Sequence, residues 1–356
     1  MVKVALISDF RNIHAQKWAR ILNTKVDKLF VISVAASKLN GLNVYNLNMI
    51  NYNGYRIVTL IKKLRYIVLC WIILNREKPD IVHVHYLRTD ISIFGYLFHK
   101  NIIISVWGND IIDDNNTSSL KKIYRRIALK RAKIITATTN YLANYTYKFH
   151  QNKTIHVVPF GVDLKKFNPK NYIKVSNSKI HIAFVKHLTE KYGPHILISS
   201  ARYIKNDVII HIAGEGNMQD FLEELSEKNS LSCIVFEGFI PQDSLAEFLS
   251  KIDIFVMPSI YNSETFGVSA IEAQAMGIPV IASDIGGVKE AIINDNTGIL
   301  IPPNNPVALA TAIDKLIDDK KLYKKLSSNC RNFIKKNFNL DNNANSIYKL
   351  YRSMLD

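Results

Sequence analysis

The chain has 356 residues, 48% hydrophobic and 21% charged, which is enough for two well-packed domains and excludes a disordered, collagen-like or coiled-coil protein. It carries 46 basic and 30 acidic residues, a formal charge of +16. The excess lies entirely in residues 1–180, with 29 basic and 9 acidic residues, whereas residues 181–356 hold 17 and 21. An anionic partner is therefore expected for the first half, and nucleic acid, an acidic membrane and a phosphorylated substrate all remain open.

Short apolar runs rich in Val and Ile alternate with longer helical patterns along the chain. Such runs are typical of buried parallel strands, and the segments between them are typical of crossover helices. The predicted strands are Val2–Ser8, Ile81–His85, Ile102–Val106, Ile134–Thr138, Ile180–Val185, Val208–Ala213, Ile234–Phe236, Ile254–Met257 and Pro279–Ala282. The pattern predicts an α/β protein with doubly wound, Rossmann-like sheets. Its longest apolar run, Ile67–Leu74, is far shorter than the roughly 20 residues of a membrane span.

The alternation restarts at Ile180, after a polar stretch rich in Pro, Asn and Ser. We therefore predict a first domain over residues 1–168, a linker over 169–178 and a second domain over 179–335. Residues 336–356 have helical spacing. Ligands of open α/β sheets bind beyond the carboxyl ends of the strands, so the cleft between the two domains is the expected site. The three cysteines fit neither a disulfide framework nor a zinc site, which favours the cytoplasm.

The strongest chemical signal is the segment Pro258–Glu272, PSIYNSETFGVSAIE. A predicted strand meets a Pro-Ser turn, then Glu264, then a glycine, and then a helix that contains Glu272. The backbone N–H groups of residues 266–269 are at the helix start, where they can bind phosphate oxygens. Helical side chains lean toward the N-terminus, so Glu272 can reach the same ligand. The alternative is one surface glutamate and one favoured by the helix dipole.

This segment resembles the glutamate–seven–glutamate signature of retaining glycosyltransferase family 4, in members of the bacterial surface-polysaccharide type. Other segments resemble the family in the same order, and they are Ala213–Gly216, Phe236–Ile240, Glu272–Glu290 and Gly298–Pro302. The resemblance implies the GT-B fold, with two Rossmann-like domains facing a central cleft. It also implies that the second domain binds the nucleotide-sugar donor, that the first lies on the acceptor side, and that the C-terminal helix crosses back to the first.

The resemblance implies roles for individual residues of the second domain. Glu264 would meet the transferred sugar, and Glu272 would bind the ribose diol. Lys186 and Lys191 would bind the diphosphate, although Lys186-His187 stands where the family commonly has Gly-Arg, so His187 is an alternative to Lys186. Either lysine could instead be a solvated loop residue. No metal or other cofactor is expected. The other donor-binding candidates are Gly214, Gly216, Phe239, Ile240, Thr265, Phe266, Gly267 and Val268.

The first domain matches the family less closely. His85 ends a predicted strand and is expected to point into the cleft, whereas His83 is expected in the core; a purely structural His85 stays open. The turn from Trp107 to Asp110 resembles the family's His-Gly-x-Asp turn, with an indole that cannot transfer protons and is expected to stack on a sugar or to close the pocket. Asp110 could instead be a helix N-cap. The candidates for the acceptor or sugar pocket are His14, His85, Trp107, Asn109 and Asp110.

Two basic clusters stand out in the first half. One precedes and adjoins an apolar run that contains Trp71, and the other crowds a predicted helix. A solvated helix face is the usual interpretation, but basic residues beside apolar ones also suit a helix lying on anionic lipid. The clustered residues are Arg56, Lys62, Lys63, Arg65, Lys121, Lys122, Arg125, Arg126, Lys130, Arg131 and Lys133.

The resemblance implies a retaining hexosyltransferase that uses a UDP- or GDP-linked sugar. The acceptor is expected to be a lipid-linked or other glycan in capsule, O-antigen (lipopolysaccharide) or exopolysaccharide synthesis. The expected location is the cytoplasm, peripheral on the inner face of the cytoplasmic membrane. A nucleotide-sugar epimerase of similar fold and a non-catalytic nucleotide-sugar-binding protein are the alternatives. A nucleic-acid partner is not expected, because the sequence contains no recognised binding module.

Overall fold

The computed structural model describes residues 1–33, 41–47, 56–87, 96–112, 119–150, 154–173 and 179–356, without the side chains of residues 56–64, 120 and 121. The chain forms two compact units, the first made of Met1–Pro159 with Asp341–Asp356 and the second of Phe160–Leu340. This division follows Pro159, whereas the sequence placed the boundary at residue 168. The described part of the expected linker, residues 169–173, belongs to the second unit.

The first unit contains a seven-stranded parallel sheet in the order β3-β2-β1-β4-β5-β6-β7. Its strands are β1 (Lys3–Ser8), β2 (Lys28–Ser33), β3 (Asn43–Asn46), β4 (Ile81–His85), β5 (Ile102–Val106), β6 (Ile134–Ala137) and β7 (Ile155–Val157). The central strands β4 and β5 are buried at every position, as expected for parallel strands covered on both faces.

The helices of the first unit are α1 (Ile13–Asn23), α2 (Arg56–Glu77), α3 (Ser119–Arg131) and α4 (Asn140–Thr146). One face of the sheet packs against α2, α3 and α4 in a single hydrophobic core that includes Cys70, Tyr124 and Leu142. The β1–α1–β2 connection runs in the opposite direction across the sheet, and right-handed crossovers place α1 on the other face. The sheet is therefore doubly wound.

The second unit contains a six-stranded parallel sheet in the order β10-β9-β8-β11-β12-β13. Its strands are β8 (Ile180–Val185), β9 (Val208–Ala213), β10 (Ile234–Gly238), β11 (Ile254–Met257), β12 (Val280–Ser283) and β13 (Gly298–Ile301). Its helices are α5 (Pro194–Ser200), α6 (Gln219–Lys228), α7 (Leu245–Ser250), α8 (Val268–Ala275), α9 (Val288–Ala291), α10 (Pro306–Asp318) and α11 (Lys320–Asn337). Both units confirm the predicted α/β class with two parallel, Rossmann-like sheets.

The final helix, α12 (Leu340–Ser353), packs within the first unit over nearly all its length. Its Ile347 and Tyr351 are buried, and the Tyr351 hydroxyl lies 2.6 Å from Nδ1 of His83. Asn343 donates its side-chain amide to the carbonyl of Pro159 at 3.0 Å. The whole second unit, Phe160–Leu340, therefore lies in the sequence between α12 and the sheet that it completes.

Three strands of the first sheet were missed by the sequence analysis. The strands β3 and β7 are short edge strands of four and three residues, and β3 has only two partly buried residues between two exposed asparagines. The strand β2 is buried, but only residues 24–27 separate it from α1. Its apolar run therefore lies directly behind the apolar residues of the helix and is hard to recognise as a separate element. Within the described ranges, no helix is long and apolar enough to cross a membrane.

Candidate functional site

The strand order of the second unit reverses between β8 and β11, and the loops after these two strands carry the predicted chemistry. From β8 the chain moves outward through β9 and β10, and from β11 it moves outward in the other direction. Ligands of doubly wound sheets bind beyond the carboxyl ends of the strands at this reversal. Lys186 directly follows β8, and Glu264 lies in the loop between β11 and α8. The fold therefore brings both to the same edge.

Lys186 and Glu264 form an ion pair, with 2.5 Å between Nζ and Oε2. The Lys186 side chain is 18% exposed and the Glu264 side chain is 10% exposed, so the pair is largely shielded from water but reaches the surface. The Lys186 ammonium also lies 4.4 Å from the centroid of the Tyr192 ring. A carboxylate and an aromatic face thus fix the ammonium group. His187 is exposed and turns its Nδ1 toward the carbonyl of Glu215 at 3.1 Å, so Lys186 is the residue beside Glu264.

Lys191 approaches the same group from the following turn. Its ammonium donates to the carbonyl of Ser263 at 3.2 Å and lies 5.4 Å from the Tyr192 ring centroid. Burial lowers the pKa of Lys191; the Glu264 charge raises it and the Lys186 charge lowers it. Burial, followed by the nearby Glu264 carboxylate, raises the pKa of Tyr192 to about 12. The arrangement gathers two cationic groups around one ring and one carboxylate.

Two glycines let the loop after β9 pack against the loop that carries Lys186. A Cβ on Gly214 would lie 1.9 Å from the carbonyl oxygen of Lys186, and one on Gly216 would lie 2.2 Å from that of Leu188. The backbone N–H of Leu188 donates to Glu215 at 3.0 Å across this contact. Any side chain at Gly214 or Gly216 would push the lysine loop away, so these glycines help to position Lys186.

A second glycine pair holds the Glu264 loop. A Cβ on Gly286 would lie 2.2 Å from the Glu264 carbonyl oxygen, and the backbone N–H of Gly287 donates to the same oxygen at 3.2 Å. The N–H of Gly286 also donates to the side-chain oxygen of Asn262 at 3.2 Å. The turn after β12 therefore fixes the backbone from which the Glu264 side chain projects.

The start of α8 offers polar groups beside Glu264. Gly267 is the N-cap of the helix, with a φ of +88°. It has no side chain that could accept a hydrogen bond from the first N–H groups. Ser259, Ser269 and Ser283 each have a buried hydroxyl with no hydrogen-bond partner in the described structure. Buried polar groups are normally paired, and the exceptions often mark a place for a ligand or water. The free N–H groups of a helix start bind anions, so this region suits a phosphate-bearing ligand.

Glu272 lies in the second turn of α8 and is buried. Its Oε1 accepts a hydrogen bond from Nε2 of Gln242 at 3.0 Å. The sequence analysis did not identify Gln242, which precedes α7 and has no distinctive spacing relative to Glu272. The bond fixes the direction of the carboxylate that was expected to bind a ribose.

The other donor-side candidates differ in exposure. The Phe266 ring is buried against Phe160 and Phe338, so it stabilises the unit and offers only its backbone to a ligand. Thr265 is also buried, and Val268 is the first residue of α8. Phe239 is strongly exposed and Ile240 is half-buried, just after β10. An exposed ring at a strand end can stack on a planar base.

In the first unit, the turn predicted to contact a sugar is held by Asp110. The buried carboxylate of Asp110 accepts hydrogen bonds from the backbone N–H groups of Leu87 at 2.9 Å and Gly108 at 2.7 Å. Burial raises its pKa, and these backbone bonds partly offset that effect. Asp110 therefore ties the loop after β5 to the loop after β4, a different role from capping a helix. Asn109, between these residues, is exposed.

His85 is buried, which corrects the expectation that it points into an open cleft. Its ring is covered by Trp107 at 4.9 Å, His83 at 4.3 Å and Trp18 at 6.2 Å between centroids. These rings line a small cavity that has room for about one water molecule. Nδ1 of His85 and Oγ1 of Thr138 are buried there without a described hydrogen-bond partner.

His14 lies at the start of α1, half-buried, and its backbone N–H donates to the side chain of Asn12, the N-cap, at 2.8 Å. The loop that follows β1 contains this cap and an ion pair between Arg11 and Asp9 at 2.6 Å. The strand order of the first unit reverses between β1 and β4, so His14 follows one of the two strands at that reversal and His85 is the last residue of the other. Within the described ranges, no three acidic, histidine or cysteine side chains are grouped to hold a metal ion.

Two protein-family models match the chain. Residues 167–333 match the model described as glycosyl transferases group 1, and residues 3–139 match the model described as glycosyl transferase 4-like. Together the two matches cover most of the chain, which is a glycosyltransferase. The group 1 match contains both Lys186 and Glu264, together with the glycines that position them.

Characterised and uncharacterised relatives resemble this glycosyltransferase. It is 27% identical over 325 residues to the UDP-Gal:alpha-D-GlcNAc-diphosphoundecaprenol alpha-1,3-galactosyltransferase of Escherichia coli, covering 84% of this chain and 82% of the relative. It is 31% identical over 195 residues to the uncharacterised glycosyltransferase MJ1607 of Methanocaldococcus jannaschii, covering 54% of this chain and 50% of that protein. The match therefore spans only half the length of MJ1607.

Solved structures share the fold over the whole chain. The Anabaena protein Alr3699/HepE, crystallised with UDP and glucose, superimposes with a TM-score of 0.79 at 17% identity. The alignment covers 99% of this chain and all of that one. The similarity confirms the GT-B architecture of the glycosyltransferase.

Buried His83 makes the stability of the glycosyltransferase depend on pH. Burial lowers its pKa to about 3, and its two nitrogens contact Tyr351 and Ser105. Because protonation favours the unfolded chain, stability is complete above about pH 6.5 and falls as pH decreases toward 3, by up to about 1.4 kcal/mol per pH unit. We expect urea unfolding between pH 7 and pH 5 to show a shallower loss for His83→Gln. The control His187→Gln, at an exposed position, should lose stability with pH as the wild type does. If the wild type and both variants lose unfolding free energy equally per pH unit, His83 is not the source of the pH dependence.

Proposed function

We propose that this glycosyltransferase is a retaining hexosyltransferase that moves a sugar from a nucleotide-sugar donor to a lipid-linked or other glycan acceptor. The observation that carries the proposal is the Lys186–Glu264 pair beside the start of α8. Glu264 lies beside a lysine rather than facing a second carboxylate, so the glycosidase arrangement with a covalent sugar intermediate is not favoured. We propose instead that the acceptor attacks from the face that the diphosphate leaves.

The departing nucleoside diphosphate needs positive charge. We propose that Lys186 and Lys191 supply it, together with the backbone N–H groups at the start of α8. The two ammonium groups lie 4.4 Å and 5.4 Å from one aromatic ring, so a single ligand can reach both. Fixed charges of this kind stabilise the charge that develops as the bond breaks. We further propose that no metal ion is required.

Glu264 and Glu272 would bind the donor at two different places. Glu264 lies in the loop before the helix and would contact the hydroxyl groups of the transferred sugar. Glu272 is one to two turns into the helix, and its carboxylate, oriented by Gln242, would accept hydrogen bonds from the ribose diol. Phe239 and Ile240 would contact the base, and Gly214 and Gly216 would serve the donor site by letting the loop that carries Lys186 pack closely.

The acceptor and the pathway are proposed from the first unit and from one relative. The Escherichia coli relative is named for an acceptor that carries a diphosphoundecaprenol group, which is a lipid-linked sugar. We propose a similar acceptor for this enzyme, in capsule, O-antigen or exopolysaccharide synthesis, with His14, Trp107, Asn109 and Asp110 shaping its pocket; buried His85 would act only from behind Trp107. We also propose that the enzyme works peripherally on the inner face of the cytoplasmic membrane, because the basic excess lies in the first half of the chain.

Replacing either lysine by alanine should weaken the binding of UDP or GDP by about 10- to 100-fold, because hydrogen bonds to a charged group contribute about 1.5–3 kcal/mol. Isothermal titration calorimetry measures this directly. His187→Ala is the matched control, since His187 is a neighbouring cation candidate that turns away from Glu264. If neither lysine variant changes the affinity for UDP or GDP, the diphosphate binds elsewhere.

The decisive experiment is a thermal-unfolding screen against UDP- and GDP-linked sugars. A donor that binds only the native state raises the apparent stability, by about 2.7 kcal/mol at a concentration one hundred times its Kd. The donor identified in this way is then incubated with a polyprenyl-diphosphate sugar, with and without a chelator, and the anomeric configuration of the product is determined by NMR. An inverted product would overturn retention, and transfer abolished by the chelator would overturn the metal-free proposal.

The same assay separates the proposed activity from its alternatives. An epimerase would convert the sugar of the donor without an acceptor, and the product would remain linked to the nucleotide. A non-catalytic binding protein would be stabilised by the donor and would give no product with any acceptor. Either outcome would refute the proposed transfer.

A further inference from the structure

The two helices that contain the basic clusters of the first half, α2 and α3, lie on one face of the first sheet. Cys70 and Leu74 of α2 and Tyr124 and Ala128 of α3 belong to a single hydrophobic core, together with alternate residues of the strands. The buried residues therefore define the inner side of each helix. The remaining positions form an outer side that faces away from this core.

The outer side of both helices is partly apolar. On α2, Val68, Trp71 and Ile72 are about half exposed, and they recur at the spacing of one helical face. On α3, Ile123 and Ile127 are also about half exposed and lie one turn apart. Single exposed apolar residues are ordinary, but five of them on the outer sides of two helices sharing one sheet face are unusual.

A sixth exposed apolar residue lies beside α3. Phe98 is 71% exposed, and the preceding residue, Leu97, is buried in the same core. The guanidinium of Arg131, at the end of α3, donates to the Leu97 carbonyl at 3.1 and 2.7 Å. These bonds hold the backbone next to Phe98 against the end of α3.

Basic residues flank the apolar positions, and the two helices together contain one acidic residue. The sequence of α2 contains five basic residues and one acidic residue, Glu77, which is already paired with Lys3 and Lys28. The sequence of α3 contains six basic residues and no acidic residue. Of these, Arg65, Lys122, Arg126 and Lys130 are exposed. The side chains of Lys62, Lys63 and Lys121 lie outside the described residues.

We infer that the outer sides of α2 and α3, with Phe98, form a docking surface for an anionic lipid bilayer. Half-exposed aliphatic and aromatic side chains would enter the boundary between headgroups and acyl chains, and the lysines and arginines would contact lipid phosphates. The positive charge selects an anionic surface over a neutral one. The inference deepens the proposed function, because a lipid-linked acceptor is presented at such a surface.

Trp71 is a natural reporter for this surface. The chain has three tryptophans, of which Trp18 and Trp107 are buried and Trp71 is 48% exposed. When phosphatidylglycerol–phosphatidylcholine vesicles are added to the whole protein, we expect a blue shift of tryptophan fluorescence that saturates with lipid. Phosphatidylcholine vesicles alone should give a much smaller shift, and 0.5 M salt should weaken the binding. A response that ignores lipid charge and salt would overturn the inference.

Two pairs of variants test which residues form the surface. Val68→Ser with Ile127→Ser keeps Trp71 as the reporter and should weaken vesicle binding about tenfold or more, because about 0.8 kcal/mol is lost for each CH₂ group no longer buried. Lys122→Gln with Arg126→Gln should weaken it roughly 25-fold, since each basic residue near an anionic surface contributes about 1 kcal/mol, a factor of about five.

The controls carry the same chemical changes on the second unit. Phe221→Ser on α6 removes an apolar side chain of equal exposure, and Lys324→Gln with Lys325→Gln removes two exposed lysines of α11. Both controls should bind vesicles like the wild type. If they lose as much affinity as the α2 and α3 variants, the surface is wrongly placed.

The thermal-unfolding response to the nucleotide sugar separates this inference from the proposed function. All four variants should keep the wild-type response to the donor, because the changed residues of α2 and α3 belong to the first unit and those of α6 and α11 are exposed helix positions outside the loops that carry Lys186 and Glu264. Donor binding without vesicle binding would overturn the docking surface and leave the proposed activity standing. Vesicle binding together with no donor binding and no sugar transfer would support the docking surface and refute the proposed activity.

Discussion

Replacing Glu264 by alanine is expected to lower kcat for sugar transfer by at least 10²–10³, because loss of one fixed electrostatic contact to the transition state has about this effect. The variant should remain folded. Lys186 loses its partner at 2.5 Å but keeps the Tyr192 ring at 4.4 Å and some access to water, so we expect a loss of about 1–2 kcal/mol of unfolding free energy. Initial-rate kinetics and urea unfolding measure the two effects separately.

Two further variants make the expected result for Glu264 specific. Glu264→Gln keeps the size of the side chain and removes its charge, so activity should fall nearly as far as with alanine. Glu224→Ala removes an exposed glutamate from α6, in the same unit, and should leave kcat unchanged. Near-normal transfer by Glu264→Ala would show that this carboxylate does not contact the reacting sugar.

Gly286→Ala should damage both stability and transfer, although this residue makes no contact with a substrate in our proposal. Its φ is +48°, and a Cβ there would lie 2.2 Å from the carbonyl oxygen of Glu264 and 2.8 Å from that of Asn262. Two backbone carbonyls must move to admit one methyl group. We expect a loss of about 2–4 kcal/mol, combining a left-handed backbone with overpacking, and a fall in kcat as Glu264 is displaced.

Gly238→Ala is the matched control for this change. Gly238 also has a left-handed backbone, with φ +65°, but a Cβ there would have no atom within 4 Å. It should therefore cost only the backbone preference, about 1–2 kcal/mol, and leave transfer intact. Equal losses for the two variants would mean that the backbone angle, and not contact with the Glu264 loop, explains the effect at Gly286.

The fold of the second unit could be predicted closely from the sequence, because buried parallel strands leave continuous apolar runs. Runs such as Val208–Ala213 were recognised for this reason. The sequence also singled out Lys186 and Glu264, although 78 residues separate them, because the segments around them resemble a known glycosyltransferase family. It could not predict that the two form an ion pair beside Tyr192, since that depends on how two loops pack.

The first unit was predicted less well, for physical reasons that individual residues illustrate. The period of two along β4 correctly placed His83 and His85 on one face, but it does not say what covers that face. Trp18 of α1, Trp107 and Ile347 of α12 line the cavity beside His85, and these residues come from distant parts of the chain. Burial at a strand end therefore depends on tertiary contacts that no local pattern contains.

The placement of α12 affects the order in which this protein can fold during synthesis. The first unit begins to leave the ribosome first, yet its buried Tyr351 is made only after all of Phe160–Leu340. Domains that are continuous in sequence can fold one after another from the N-terminus. The first unit, in contrast, cannot be completed until the second unit has been synthesised. Until then, His83 lacks the hydroxyl that it contacts at 2.6 Å. The second unit can finish first, so the half of the chain that is synthesised first is completed last.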